Sequence, residues 1–122
     1  TGGIGLRTFG RRLAPAFLLA RLVAFGLGAN LGDPLRQLAA ALDALAQRLG
    51  PLRVASPYRT EPVSAIPQPD FLNTVALASS NREPEALLEL ALEIERQLGR
   101  TRGERDAPRT IDLDLLLVGD ER

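Results

Sequence analysis

The chain has no cysteine, no histidine and no lysine in its 122 residues, and only 4% of them are aromatic. Each absence removes a class of chemistry from this stretch. Without cysteine there are no disulfides and no thiolate zinc sites. Without histidine there is no imidazole ligand and no histidine general base. Without lysine there is neither a Schiff-base amine nor the lysine of a phosphate loop. A metal bound here has only carboxylates, carbonyls, waters or a substrate's own phosphates to hold it, a donor set that favours Mg²⁺ or Ca²⁺. An excess of one charge is lacking too: fifteen basic residues balance fifteen acidic ones. That argues against a broad nucleic-acid-binding surface, as does the scarcity of rings on which bases would stack. A cysteine-free chain carries no mark of an oxidising compartment, so a cytoplasmic setting is expected.

The length and a hydrophobic content of 45% are those of one domain with one core. All fifteen basic residues are arginine, the side chain suited to bidentate phosphate recognition. The first 21 residues stand apart. They hold Arg7, Arg11, Arg12 and Arg21, no acid, and an apolar Ala14–Ala20 segment. That segment is too short to span a membrane and Pro15 interrupts it, so no membrane association is expected. Residues 1–21 are read as a leader, targeting peptide or extension outside the fold, and residues 22–122 as the domain.

Along the domain, Leu22–Gly28 reads as a buried first strand. Asp33-Pro34 is a strong helix start, a capping acid followed by proline at the first helical position. Leu35, Leu38, Leu42, Leu45 and Leu49 then form one helical stripe, which Gly50-Pro51 ends. Leu52–Tyr58 reads as a second strand. Arg59–Asp70, with Pro62, Pro67 and Pro69, reads as a long structured loop. Phe71–Ala78 is a third strand. A second helix opens near Pro84, places Leu87, Leu90, Ala91, Ile94 and Leu98 on one face, and ends at Gly99. The order β-α-β-β-α-β predicts an α+β fold of the ferredoxin-like type, with both helices on one face of the sheet.

The most informative stretch is the last. Between Arg109 and Val118, Asp112 and Asp114 interrupt an apolar run at a spacing of two. In a strand both acids face one way, while Ile111, Leu113, Leu115 and Leu117 face the core. Leu116 and Val118 are expected to continue the acidic face. Neighbouring carboxylates repel, so a strand that holds both calls for a hard cation or guanidinium groups. The plainer reading is an edge strand with a solvated face; asparate's poor fit to strands and the apolar continuation favour a site. Arg96, Arg100, Arg102, Arg105 and Arg109 lie just upstream, either as a solvated helix end or as a polyphosphate cradle. Gly26, Gly28 and Gly32 fail the dinucleotide spacing and read as a structural turn into the helix. Phe71 and Asn73 share a strand face, where a ring and an amide suit a planar heterocycle; a phenylalanine is more often core.

Taken together, Gly28-Ala29-Asn30-Leu31-Gly32-Asp33, Tyr58-Arg59-Thr60, Gln68-Pro69-Asp70-Phe71-Leu72-Asn73, Gly99-Arg100 and Pro108-Arg109-Thr110-Ile111-Asp112-Leu113-Asp114 resemble one family. It is the 6-hydroxymethyl-7,8-dihydropterin pyrophosphokinase (HPPK) family of folate biosynthesis. The resemblance runs from about Leu22 to Arg122. It implies transfer of pyrophosphate from ATP to the pterin hydroxymethyl group, with release of AMP. It also implies that Asp112 and Asp114 hold two Mg²⁺ ions against the ATP phosphates, and that Arg100, Arg109 and Arg102 contact those phosphates. Glu95 and Leu115 match positions near the nucleotide. Asn73 matches the reader of the pterin edge, Phe71 an aromatic that packs on its ring, and Thr60, Glu61 and Val63 a loop whose backbone completes the pocket. The chain departs from the family in having Asp106-Ala107 where Trp-Gly is usual, and a loop one residue shorter. The family also continues beyond this point with a histidine, arginines and a second aromatic. An enzyme lacking its C-terminal part is therefore expected, with weak activity on its own. Two other readings compete: a non-catalytic ferredoxin-like module that binds a small molecule without Mg²⁺, or an inactive fragment, and a nucleic-acid-binding sheet of the same topology.

Overall fold

The computed structural model describes residues 6–9, 12–15, 20–62, 67–99 and 111–119. Strands β1 (Leu6–Phe9) and β2 (Arg12–Pro15) pair with each other as a separate antiparallel hairpin. The remaining elements are β3 (Arg21–Ala29), α1 (Pro34–Leu49), β4 (Arg53–Val54), β5 (Tyr58–Thr60), β6 (Phe71–Ser80), α2 (Pro84–Gly99) and β7 (Asp112–Val118). They build one antiparallel sheet in the order β4-β6-β3-β7, with β5 also paired to β6. This is the ferredoxin-like order: the first strand of the βαββαβ unit sits inside, beside the third, and the last strand forms an edge. Among the described residues no helix is long and apolar enough to cross a membrane.

Both helices cover one face of the sheet, α1 against β6 and β3 and α2 against β7. The core lies in that layer and includes Phe25, Leu38, Leu45, Leu87, Leu90, Ile94, Ile111 and Leu113. The first helix starts as its sequence dictates. The Asp33 side chain accepts from the Arg36 N–H at 3.2 Å, and Pro34 stands at the first helical position. Gly50, with a φ of 86°, ends it by donating to the Ala46 carbonyl at 2.9 Å. Of the predicted stripe, Leu38 and Leu45 are fully buried, while Leu35 is 61% exposed in the first turn, beyond the core's edge.

Three local expectations are corrected. The second strand is not continuous from Leu52 to Tyr58 but breaks into β4 and β5. Pro57 has no N–H to offer a ladder, and the Thr74 hydroxyl takes the Ala55 carbonyl at 2.7 Å. Gly26 and Gly28 are not in a turn; both lie inside β3, and only Gly32, at a φ of 63°, turns the chain. In β7 the alternation slips. Ala24 faces Leu117 but Phe25 faces Leu115, so Leu116 is an inserted residue. Past that bulge the phase reverses, and Val118 joins the core in place of Leu117.

Candidate active site

The sheet face away from the helices carries the site, and register decides what meets there. Gly28 in β3 lies opposite Asn73 on one side and Asp112 on the other, and Tyr58 lies opposite Asn73 in turn. One row across the sheet therefore reads Tyr58–Asn73–Gly28–Asp112. The next row reads Val75–Gly26–Asp114. Cβ direction alternates along each strand, so these rows share a face. Asp112 and Asp114 are both exposed, while Leu113 between them is buried. Their Cα atoms stand about 6.6 Å apart along an extended strand. The two rows floor an open cleft of about 420 Å³, lined also by Thr60, Glu61, Pro62, Phe71 and Leu116.

The two glycines make the cleft. A Cβ on Gly26 would come within 3.2 Å of Leu116 Cδ1, and one on Gly28 within 3.0 Å of Asn73 Oδ1. Any other residue at either position would fill the trough between the amide and the carboxylates.

Asn73 is held in one orientation. Its Nδ2 donates to Thr60 Oγ1 at 2.8 Å and approaches the Tyr58 and Phe71 carbonyls at 3.4 Å. Carbonyl oxygens only accept, so a flipped amide would set oxygen against oxygen. Oδ1 must then point over Gly28, and the cleft presents an acceptor there. A ligand edge bearing N–H groups is what that acceptor suits. The approach to β6 is fixed from the other side by buried Asn30, whose Nδ2 donates to Gln68 Oε1 at 2.9 Å and to the Pro69 carbonyl at 3.1 Å.

A model of the 7,8-dihydro-6-hydroxymethylpterin-pyrophosphokinase (HPPK) family matches residues 24–120. The chain belongs to that family. Relatives agree. The chain is 44% identical over 98 residues to a Pseudomonas aeruginosa protein named 2-amino-4-hydroxy-6-hydroxymethyldihydropteridine pyrophosphokinase, an alignment covering 78% of this chain and 60% of that protein. Proteins of the same name from Haemophilus influenzae and Bacillus subtilis are 40% and 42% identical over 97 residues each, covering 78% of this chain and 61% and 58% of theirs. The chain thus spans about three fifths of the length of these curated relatives.

Of the residues singled out from the HPPK resemblance, the structure brings Asp112, Asp114, Thr60, Glu61, Phe71 and Asn73 to one cleft. Phe71 is half-buried in its wall rather than in the core. Glu95, just before the last turn of α2, accepts the Leu113 N–H at 2.8 Å. Leu115 packs against the core from the helix face. Val63, Arg100, Arg102 and Arg109 lie outside the described residues, as do Asp106 and Ala107. Gly26, Gly28, Tyr58 and Leu116 line the cleft although the sequence reading gave none of them a role in binding. Two glycines at a spacing of two inside an apolar strand were the available signal, because that spacing bares a strip on one face.

The donor set fits magnesium. Two carboxylates on one exposed strand face are hard oxygen ligands, and among the described residues no third His, Cys, Asp or Glu joins them. Such an open pair leaves coordination positions for water and substrate phosphate, which is how Mg²⁺ is usually held.

Proposed function

We propose that the full protein transfers pyrophosphate from ATP to 6-hydroxymethyl-7,8-dihydropterin, releasing AMP, in folate biosynthesis. The observation that carries this reading is the row in which Asn73, Gly28 and Asp112 stand side by side across three strands. Two strand spacings put Asn73 about 10 Å from Asp112, with no side chain between them. A pterin held by its N–H edge at Asn73 and packed on Phe71 directs its hydroxymethyl arm towards the carboxylates. The loop backbone at Thr60, Glu61 and Val63 completes the pocket around it.

Asp112 and Asp114 would hold Mg²⁺, as two ions, and through it orient the ATP polyphosphate. When bound, the metal templates the phosphates and neutralises their charge. The pterin hydroxyl gives up its proton to water as its oxygen attacks the β-phosphorus in line, the bond from that phosphorus to the α,β-bridging oxygen breaks, and AMP leaves. Arg100, Arg102 and Arg109 are the residues proposed to contact the phosphates, with Glu95 and Leu115 near the nucleotide. Residues 22–122 form the bulk of the catalytic domain and 1–21 an extension to it; a cytoplasmic setting suits the substrates.

The test is product identity. Full-length protein, ATP, Mg²⁺ and the dihydropterin should yield AMP in step with pterin diphosphate. Formation of ADP, or calorimetric binding of pterin with no turnover and no need for Mg²⁺, would replace the transferase by a binding module.

A further inference from the structure

The proposed reaction needs both aspartates on one face of an edge strand, and an edge strand is held by hydrogen bonds from one side only. In an antiparallel pair, successive residues direct their amides alternately towards the partner strand and away from it. The Leu113 N–H is directed away from β3, because it donates to Glu95 Oε2 at 2.8 Å. Asp112 and Asp114 therefore turn their backbone groups inward, to Gly28 and Gly26 opposite them. The segment is clamped on both edges at three consecutive residues: the two acids to the glycine strand, the residue between them to helix α2. A bond to a carboxylate is among the stronger kind, and Glu95 is half-buried where it is made.

We propose that Glu95 is a positioning residue, whose carboxylate fixes the backbone between Asp112 and Asp114 and so sets the spacing at which the pair takes up Mg²⁺. This rests on the metal-binding reading of the pair given above. Protection of a sheet edge alone does not account for the choice of side chain or of amide. A guard against edge pairing works anywhere along β7, and a lysine or proline serves best. Here the acceptor is brought to the one amide that lies between the two aspartates. Glu95 is not itself a ligand, since it approaches from the helix layer and no three-acid group able to hold a metal occurs among the described residues.

The experiment compares Glu95→Ala, Glu95→Asp and Glu95→Gln in the full-length protein. Glutamine keeps an acceptor at the same reach, whereas aspartate keeps the charge but falls one methylene short. Glu95→Ala and Glu95→Asp should speed hydrogen exchange at the Leu113 amide tenfold or more. They should also raise several-fold the Mg²⁺ concentration giving half-maximal AMP formation. Glu95→Gln should restore both readouts to near wild type. An unchanged Mg²⁺ requirement in both the alanine and aspartate variants overturns the proposal. So does a Mg²⁺ requirement raised as far in Glu95→Gln as in Glu95→Ala, which would place the effect in the charge of Glu95 rather than in its bond to Leu113. If the wild-type protein forms no AMP, the transferase reading fails separately. Paramagnetic broadening of the Asp112 and Asp114 amide signals by Mn²⁺ then decides the positioning role, which requires broadening at lower Mn²⁺ in wild type and Glu95→Gln than in Glu95→Ala.

Discussion

Replacing Gly28 by alanine should leave the protein as stable as before and yet weaken pterin binding, an outcome that follows from one short distance. Gly28 does not have a positive φ, so alanine adopts its backbone freely. Removing a glycine from a strand interior contributes about 0.5–1 kcal/mol of stability through the unfolded chain. Against this, the new Cβ would lie 3.0 Å from Asn73 Oδ1, a few tenths of an ångström too close, and 3.7 Å from Phe71 Cδ1. Asn73 cannot yield by simple rotation, because its Nδ2 is tied to Thr60 Oγ1 at 2.8 Å. Releasing that bond costs about 1 kcal/mol, so the net change in stability should be under roughly 1 kcal/mol in either direction. Binding has no such offset. A displaced acceptor forfeits a hydrogen bond to the ligand worth about 1–1.5 kcal/mol, or a loss of affinity of roughly five- to tenfold. Gly26→Ala is the comparison. There the neighbour is Leu116 Cδ1 at 3.2 Å, the free end of a side chain that is 47% exposed and able to swing aside, so the orientation of Asn73 should be untouched. Calorimetric titration of the full-length protein with the dihydropterin, beside thermal denaturation, gives both numbers. Pterin affinity within twofold of wild type in Gly28→Ala would refute the idea that a pinned amide over a bare glycine sets recognition.

Other expectations address the metal, the core and a helix end. Asp112→Ala or Asp114→Ala should abolish Mg²⁺-dependent AMP formation, a loss larger than the roughly 10–100-fold typical of an outer-shell partner. Both variants should keep the wild-type fold by circular dichroism; a near-normal rate in either variant would contradict the metal assignment. Leu45→Ala, at a fully buried position facing the sheet, should cost about 2–5 kcal/mol in chemical denaturation. Asp33→Ala removes the acceptor for the Arg36 N–H and should cost about 1 kcal/mol in the same assay. A change below a few tenths would mean that water replaces the cap.

Much of the scaffold is legible in the residues because its causes are local. Asp33-Pro34 and Gly50 bound the first helix through groups within four residues of its ends. The apolar spacing of Leu87, Leu90, Ala91 and Ile94 picks the buried face of the second. The pairing of Asp112 with Asp114 on one face needs only the two-residue period of a strand. Where local pattern and tertiary context part, context prevails. The Leu116 bulge answers to the register between β7 and β3, and at the break between β4 and β5 the Ala55 carbonyl accepts from Thr74, nineteen positions away in sequence.

The sequence by itself determined the element order, the capped helix, the acidic pair and, through several short motifs, the family. It could not determine what stands beside that pair. Gly28 meets Asn73 and Asp112 only because β3 runs between β6 and β7, and those pairings join residues 45 and 84 positions apart. Hydrogen bonding across strands, rather than any signal along one of them, turned two glycines into a floor, an asparagine into a fixed acceptor, and a helical glutamate into the outer clamp of the acidic strand.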